Sequence, residues 1–247
     1  MLKISVVSYL NSKPFIYGFN KTNFKSKATI ELDIPSVCAN KLIQGKVDIG
    51  LVPVAILPEL ENYFIISDYC IGANGPVDSV LLLSNVPLNE IKRVRLDYQS
   101  RTSVMLTKVL AKEFWRIEPE FLTSEDGYEN FILGNTAGVV IGDRALVLKN
   151  KFKFSYDLSG EWKKFTGLPF VFATWTARVQ PDDNFVAEFN NAISIGMKMI
   201  PEIAKAESND FISEEMVYSY LTKSIDFNFD DKKKEALQLF LQLSKEI

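Results

Sequence analysis

The sequence of 247 residues contains no histidine. This absence excludes a Ser-His-Asp triad, a histidine general base and any metal site that needs imidazole ligands. Whatever chemistry the protein performs must therefore rest on carboxylates, hydroxyls, amides, arginine, lysine, tyrosine or cysteine.

Cysteine is almost as scarce, since the chain has two, Cys38 and Cys70. Two cysteines are too few for a disulfide framework, and their spacing matches no metal-binding motif. We therefore interpret both as small buried hydrophobic residues. The sequence also lacks a Walker A motif, a G-x-G-x-x-G motif and a cluster of metal-ligand residues, and so it predicts no cofactor and no metal site.

Long apolar runs are missing as well. No stretch approaches the roughly 18 apolar residues of a membrane span. The apolar segment at residues 4–7 is too short for the core of a signal peptide. We therefore expect a soluble, cytoplasmic protein with no membrane partner. The net charge of −3 and the scattered basic residues argue against a nucleic-acid partner.

The residues that are present predict an α/β protein. Hydrophobic residues make up 47% and charged residues 24% of the chain, which is the balance of a globular protein. Apolar, β-branched runs predict strands at residues 4–7, 30–34, 47–52, 79–84, 138–143 and 170–175. Helices are predicted at 35–43, 104–114, 128–133 and through most of 184–247, including 232–244, and a basic aromatic loop is predicted at 149–155.

Two segments of the sequence repeat one arrangement. Residues 7–12 and 96–101 both lead from a strand through a turn into a helix, with Tyr9 and Tyr98 second in the turn. A unit of helix, glycine and strand follows in both halves. This repetition predicts two similar lobes that face each other across a ligand cleft, although common βα units also resemble each other by chance.

Helix starts supply the first candidate site residues. Ser100, Arg101, Thr102 and Ser103 stand where the second of these helices begins. Their hydroxyls and backbone N–H groups suit a carboxylate, because a helix N-terminus carries partial positive charge. The alternative is an ordinary N-cap beside a solvated arginine.

Residues 8–12, at the first strand-to-helix turn, and two later segments supply further candidate site residues. Asn11, after Ser8 and Tyr9, follows a strand end, where a ligand-binding amide and a simple Asx turn are both plausible roles. Asp143 also follows a strand end and is either catalytic or a helix cap. Ser79 leads into a segment that we expect to cross between the lobes, and residues 162–175 form the expected return crossing.

Six separated blocks resemble the chorismate dehydratase family of the futalosine route to menaquinone. The blocks lie in the family's order between residues 4 and about 180, and the C-terminal helices carry no motif. They are Ser8-Tyr9-Leu10-Asn11-x-x-Pro14, Asp48-Ile49-Gly50-Leu51-Val52-Pro53-Val54, Gly75-Pro76-Val77-x-Ser79-Val80, Ser100-Arg101-Thr102-Ser103-Val104, Ile141-Gly142-Asp143-Arg144-Ala145-Leu146 and Trp162-x-x-x-Thr166-Gly167-Leu168-Pro169-Phe170-Val171-Phe172-Ala173-x-Trp175.

The resemblance implies a fold similar to class II periplasmic binding proteins, with two mixed sheets flanked by helices and two crossing strands. We expect residues 1–85 and 171–247 to form lobe 1 and residues 86–170 to form an inserted lobe 2. It implies a lyase that removes water from chorismate, a dicarboxylate, to give 3-[(1-carboxyvinyl)oxy]benzoate. A sister lyase, which acts on cyclic dehypoxanthine futalosine, is thought to use a histidine base, and this chain has none.

If this reaction applies, we expect specific roles for the candidate residues. Asn11 would position the substrate or hydrogen-bond the departing hydroxyl, while the base is either a carboxylate of the substrate or, less favoured, Asp143. The expected substrate-binding residues are Ser8, Tyr9, Ser79, Ser100, Arg101, Thr102, Ser103, Thr166, Gly167 and Leu168. The alternatives are the sister lyase and a non-catalytic protein that binds small carboxylates.

Overall fold

The computed structural model describes residues 1–247, except for the side chain of Lys25. Within this described chain, eleven strands alternate with nine α-helices. The strands are β1 (Leu2–Val7), β2 (Ala28–Asp33), β3 (Ile49–Pro53), β4 (Phe64–Ala73), β5 (Val80–Ser84), β6 (Arg93–Arg95), β7 (Glu120–Leu122), β8 (Thr136–Ile141), β9 (Phe154–Asp157), β10 (Phe170–Ala177) and β11 (Asp226–Asn228).

The helices occupy the faces and ends of the sheets. They are α1 (Lys13–Lys21), α2 (Pro35–Ile43), α3 (Thr102–Val109), α4 (Asp143–Leu148), α5 (Leu158–Thr166), α6 (Asp183–Met197), α7 (Ile200–Glu207), α8 (Glu214–Ser219) and α9 (Asp231–Ser244). Two of them continue as π-helical segments, α3 into Leu110–Trp115 and α8 into Tyr220–Ser224. Among the described residues, no helix combines the length and the apolar content that crossing a membrane requires.

The strands form two mixed sheets, as the fold prediction expects. The first sheet has the order β11-β4-β10-β3-β1-β2, and the second has the order β7-β6-β8-β5-β9. In the first sheet β1 pairs parallel with β2 and β3, whereas β10 runs antiparallel to β3 and β4. The first sheet therefore combines strands from both ends of the chain, and the second is built from the middle.

The predicted lobe boundary after residue 85 differs from the sheet assignment at one strand. β5 forms its hydrogen bonds with β8 and β9, and so it belongs to the second sheet. The chain passes between the sheets after β4 and returns before β10. The division into lobes stays a prediction, but these pairings would move its first boundary to residues 74–79.

Close packing of α1 against α6 fixes the helix that follows the first strand. A Cβ atom added to Gly18 would lie 2.0 Å from the Ala192 carbonyl oxygen, and one added to Gly196 would lie 1.8 Å from the Pro14 carbonyl oxygen. Only glycine permits this approach of the two backbones. Trp175 of β10 adds an edge contact to the Phe15 ring, at 5.4 Å between centroids. The start of α1 is thus held rigidly at the sheet.

Most of the predicted elements are confirmed, including the helix at residues 35–43 and the buried cysteines. The expected loop at residues 149–155 is wrong at its last two residues, because β9 begins at Phe154 and pairs with β5. β9 is an edge strand, and its Ser155 is exposed. Edge strands tolerate such polar composition because one side faces solvent.

Candidate functional site

The two sheets face each other across a cleft at the carboxyl ends of several strands. β1, β3 and β8 end in its wall, which is where open α/β sheets commonly bind ligands. The cleft encloses about 60 Å³. Its wall combines residues of both sheets and of the connection between them: Val7, Tyr9, Asn11, Pro35, Pro53, Ile71, Val77, Ser79, Val80, Ser100, Thr102, Ser103, Ile141, Gly142, Phe172, Ala173 and Ile225.

The first junction, residues 8–12, brings Tyr9 and Asn11 to this wall between β1 and α1. The Asn11 Oδ1 atom accepts a 3.3 Å hydrogen bond from the Ser12 hydroxyl, which orients the amide. The Tyr9 hydroxyl donates to Gln99 Oε1 on the opposite side of the cleft. Burial, followed by the nearby Asp97 carboxylate, raises the pKa of Tyr9, so this hydroxyl stays protonated at neutral pH.

Ser79 reaches the wall from the connection between β4 and β5, and Tyr220 lies behind it. The Tyr220 hydroxyl donates a buried 2.8 Å hydrogen bond to Ser79 Oγ and accepts a 3.4 Å hydrogen bond from Asn11 Nδ2. Sequence reasoning found Ser79 and Asn11 but missed Tyr220. Its segment carries no motif, and its partners are 141 and 209 residues away in the sequence.

The second junction, residues 97–103, brings the start of α3 to the wall. Ser100 Oγ, two residues before α3, accepts a 3.0 Å hydrogen bond from the Ser103 N–H in the first turn of the helix. The Thr102 hydroxyl donates to the Phe172 carbonyl at 3.0 Å and accepts from the Ala55 N–H at 3.2 Å. Thr102 thereby ties the second junction to the first sheet. Among the described residues, the Ser103 hydroxyl has no hydrogen-bond partner.

Arg101 of the same junction points away from the cleft wall. Its guanidinium contacts both Glu59 carboxylate oxygens at 3.0 Å and the Asn40 side-chain oxygen at 2.6 Å. The Gln99 carbonyl accepts a 3.1 Å hydrogen bond from the Ser36 N–H nearby. The structure therefore places Arg101 outside the cleft, in a set of contacts that joins the two sides.

A buried ion pair fixes the turn of the second junction. The Asp97 carboxylate is fully buried, contacts Arg144 Nη2 at 2.5 Å and accepts a 2.8 Å hydrogen bond from the Tyr128 hydroxyl. The Gln99 N–H donates to the same carboxylate at 2.8 Å. Burial raises the pKa of Asp97, and the Arg144 and Tyr128 contacts oppose that rise. Sequence reasoning did not single out Asp97 or Arg144 as a pair.

Asp143 lies at the rim of the cleft and not in its wall. The residue is exposed, and its Oδ1 accepts a long 3.4 Å hydrogen bond from the Leu10 N–H. Loss of solvent on the side that faces the first junction raises the pKa of this carboxyl, whereas the Leu10 N–H lowers it. Because the residue keeps its contact with water, we expect an ionised carboxylate at neutral pH.

Four other sequence candidates also lie outside the wall. Ser8 is exposed, and its N–H pairs with the Asp33 carbonyl. Thr166, Gly167 and Leu168 end α5: the Thr166 hydroxyl accepts from the Leu168 N–H at 3.1 Å, and Gly167 has φ of +76°. This left-handed glycine is a common helix stop. The structure does not bring these four residues to Asn11 and Ser79.

The electrostatics of the wall favour an anionic ligand. α1 follows directly on the short 3₁₀ turn Leu10–Ser12, and α2 and α3 begin at Pro35 and Thr102, so three helix N-termini point to one place. Among the described residues of the wall there is no Asp, Glu, Lys or Arg side chain. An anion here would meet neutral donors and helix dipoles. No group of three or more Cys, Asp and Glu side chains among the described residues is arranged to hold a metal ion.

A larger groove lies elsewhere, at the outer end of the first sheet. It has a volume of about 720 Å³ and includes Arg178, whose guanidinium covers Gly45. Asp48, Glu59 and Asp182 also line this groove. Their negative charges oppose the binding of a dianion, and so the smaller cleft is the better candidate for an anionic ligand.

Two curated relatives match most of the chain. A protein of Thermus thermophilus named chorismate dehydratase is 27% identical over 230 residues, which cover 85% of this chain and 84% of the relative. A protein of Campylobacter jejuni with the same name is 27% identical over 248 residues, covering 97% and 96%.

Solved structures of lower identity share the fold. An Archaeoglobus fulgidus protein superposes with a TM-score of 0.78 at 12% identity, covering 99% of this chain and 97% of that chain. A Candida albicans protein described as having the generic periplasmic binding protein fold superposes with a TM-score of 0.65 at 16% identity, covering 100% and 90%. The periplasmic-binding-protein-like fold is therefore confirmed.

A sequence model of a family described as menaquinone biosynthesis matches residues 2–246. This match spans both sheets, the cleft between them and the C-terminal helices that carry Tyr220. The chain belongs to the menaquinone biosynthesis family.

Proposed function

We propose that the protein is a lyase that dehydrates chorismate to 3-[(1-carboxyvinyl)oxy]benzoate, the first step of the futalosine route to menaquinone. The name of the two relatives and the family's description support this activity. The observation that carries the proposal is the composition of the cleft wall, where hydroxyls, an amide and helix N-termini meet without an ionised side chain. Such a wall suits a dicarboxylate.

We propose that the residues at the starts of α1 and α3 bind the two carboxylates of chorismate. At α3, Ser100, Thr102 and Ser103 line the cleft, and the Ser103 hydroxyl is the donor that we assign to one carboxylate. At α1, Asn11 lies on the opposite wall with a free amide hydrogen, beside Tyr9, whose own hydroxyl donates to Gln99. We propose that the ring of chorismate lies between them, against the apolar side chains of Ile71 and Phe172.

The reaction needs little more than orientation and a stabilised leaving group. A proton leaves C3 of the ring, the C4 hydroxyl leaves with its bonding electrons, and the two make water. The product ring is aromatic, so the elimination is strongly downhill. Asn11 and Ser79 supply hydrogen-bond donors for the departing oxygen, which is where charge develops.

The proton acceptor in this proposal is the substrate itself. No carboxylate lines the described cleft, and Asp143 lies at the rim, directed at the Leu10 N–H. We therefore assign the base to the enolpyruvyl carboxylate of chorismate, which can fold over the ring once the cleft orients it. Asp143 is the less favoured base.

Entry of this substrate requires the two sides to separate. The cleft encloses about 60 Å³, whereas a single benzene ring occupies a cavity of about 150 Å³. The contacts of Arg101 with Glu59 and of Tyr9 with Gln99 join the two sides in this closed form. We propose that they break for substrate entry and form again before the elimination.

Incubation of the purified protein with chorismate tests the proposal. We expect chorismate to be replaced by an aromatic dicarboxylate whose mass is lower by one water, as measured by chromatography with mass detection. Chorismate that binds but stays unchanged would support a carboxylate-binding protein instead. Turnover of cyclic dehypoxanthine futalosine, with chorismate untouched, would support the sister lyase.

A further inference from the structure

Tyr220 lies behind the cleft wall in a part of the chain that carries no sequence motif. It begins the π-helical segment that follows α8, and its side chain is buried, with 4% of the residue exposed. Its ring does not line the cleft, but its hydroxyl reaches two residues that do, Ser79 and Asn11. A polar group placed behind two wall residues acts on a ligand only through them.

Each donor hydrogen on the side chains of Tyr220, Ser79 and Asn11 can be assigned to an acceptor or left free. The one hydroxyl hydrogen of Tyr220 is donated to Ser79 Oγ at 2.8 Å. The hydrogen of Ser79 itself is therefore free to be donated elsewhere. One Asn11 Nδ2 hydrogen goes to Tyr220 Oη at 3.4 Å, while Asn11 Oδ1 accepts from Ser12. The second Nδ2 hydrogen of Asn11 is left for another acceptor.

We propose that Tyr220 is a positioning residue, which turns Ser79 and Asn11 into hydrogen-bond donors directed at an oxygen of the ligand in the cleft. This inference rests on the proposed dehydration, since the oxygen in question is that of the departing hydroxyl or of a carboxylate. Without Tyr220, the Ser79 hydrogen and the Asn11 amide would be free to turn toward each other.

The backbone that presents Ser79 is held independently of Tyr220. Asp157 Oδ2 accepts hydrogen bonds from the Val77 N–H at 2.8 Å and the Asp78 N–H at 2.7 Å. The Ser79 carbonyl accepts from the Gly142 N–H at 2.8 Å. Removal of the Tyr220 hydroxyl should therefore change the direction of the Ser79 hydroxyl and leave its backbone in place.

The Tyr220 hydroxyl also keeps its proton across the working range of pH. Burial raises the pKa of Tyr220, because a phenolate there would lose its hydration. The hydroxyl thus remains the donor to Ser79, and the direction of the network does not reverse.

Steady-state kinetics of Tyr220→Phe with chorismate tests the inference. We expect kcat to fall about tenfold, as for the loss of one well-placed hydrogen bond, with KM changed less than kcat and an unaltered Tm. Tyr218→Phe is the matched control, because Tyr218 lies two residues earlier, in α8, and is 45% exposed. It should behave as the wild type.

A double-variant cycle separates positioning from a structural role. In the Ser79→Ala background, Tyr220→Phe should reduce kcat by about twofold instead of about tenfold, because the residue then acts through Asn11 alone. Wild-type kcat in Tyr220→Phe, or the full tenfold loss in both backgrounds, would overturn the inference while the dehydration stands. A wild-type protein that leaves chorismate unchanged would overturn the dehydration and the inference together.

Discussion

The two strand-to-helix junctions are similar in sequence, but their side chains have different roles in the structure. In the first junction, residues 8–12, the Asn11 amide retains a hydrogen for a ligand, and the junction needs no ion pair of its own. In the second junction, residues 97–103, Asp97 pairs with Arg144 and Arg101 pairs with Glu59. The first junction presents hydrogen-bond donors to the cleft, whereas the charged residues of the second junction form ion pairs that stabilise the fold.

The difference shows why a similar turn is not a similar site. The two tyrosines that mark the repeat, Tyr9 and Tyr98, both contact Gln99, so the junctions meet directly across the cleft. Tyr98 also lies under the Arg144 guanidinium, at 5.5 Å from ring centroid to Cζ. The charged residues of the second junction thus stabilise the surface against which the first junction closes.

Loss of the buried ion pair should have the largest effect on stability. Arg144→Ala leaves the buried Asp97 carboxylate without its cation, and we expect the free energy of unfolding to fall by about 3 kcal/mol. Urea denaturation measures this change. Lys234→Ala removes an exposed pair with Asp231 and should leave the midpoint unchanged. A stable Arg144→Ala variant would show that the second junction is not held by its charges.

Loss of the Asn11 amide should have the largest effect on catalysis. In Asn11→Ala we expect kcat/KM for chorismate to fall about 100-fold, because a donor for the developing charge is gone. The free energy of unfolding should stay the same. Asn20→Ala, at the exposed end of α1, is the matched control and should keep wild-type kinetics. Full turnover by Asn11→Ala would remove Asn11 from the proposed mechanism.

A smaller effect is expected where the second junction meets the first sheet. Arg101→Gln breaks the ion pair with Glu59. Both side chains of this pair are partly exposed. Such pairs contribute about 0.5 kcal/mol, and we expect a rise in KM of about threefold with kcat nearly unchanged. Glu61→Gln serves as the control, because Glu61 is also exposed and lines the same larger groove as Glu59. A large loss of kcat in Arg101→Gln would instead indicate that Arg101 contacts the substrate during the reaction.

The smallest expected effect is that of pH. The chain has no histidine, and burial raises the pKa values of Tyr9 and Tyr220, so both hydroxyls stay protonated as the pH rises. The substrate carboxylates are already ionised at pH 6. We therefore expect kcat/KM to change less than about twofold between about pH 6 and 9. A bell-shaped profile centred near neutrality would point to a protein acid or base that this mechanism lacks.

Sequence patterns predicted the elements that have strong local signals. α2 begins at Pro35, ends near Gly45 and was predicted over its full length. β4, by contrast, was not predicted, because its ten residues mix exposed polar positions such as Asp68 with apolar ones. Its place between β10 and β11 is set by pairing with distant parts of the chain.

The candidate site was predictable only in part, for the same reason. Asn11 follows a strand and Ser103 lies in the first turn of a helix, and those local patterns led to them, while Ser79 was found in the segment that leads into a strand. The positions of Tyr220 and Arg101 depend on partners far away in the sequence. Neither the buried hydrogen bond of Tyr220 nor the outward ion pair of Arg101 has a local pattern from which it could be predicted.

A crystal structure of the Asn11→Ala variant with chorismate tests the central claim most directly. The account predicts unchanged chorismate between the two junctions, with its C4 hydroxyl next to Ser79 and a carboxylate at the start of α3. Chorismate in the groove beside Arg178, or a cleft that stays closed and empty at saturating chorismate, would contradict it.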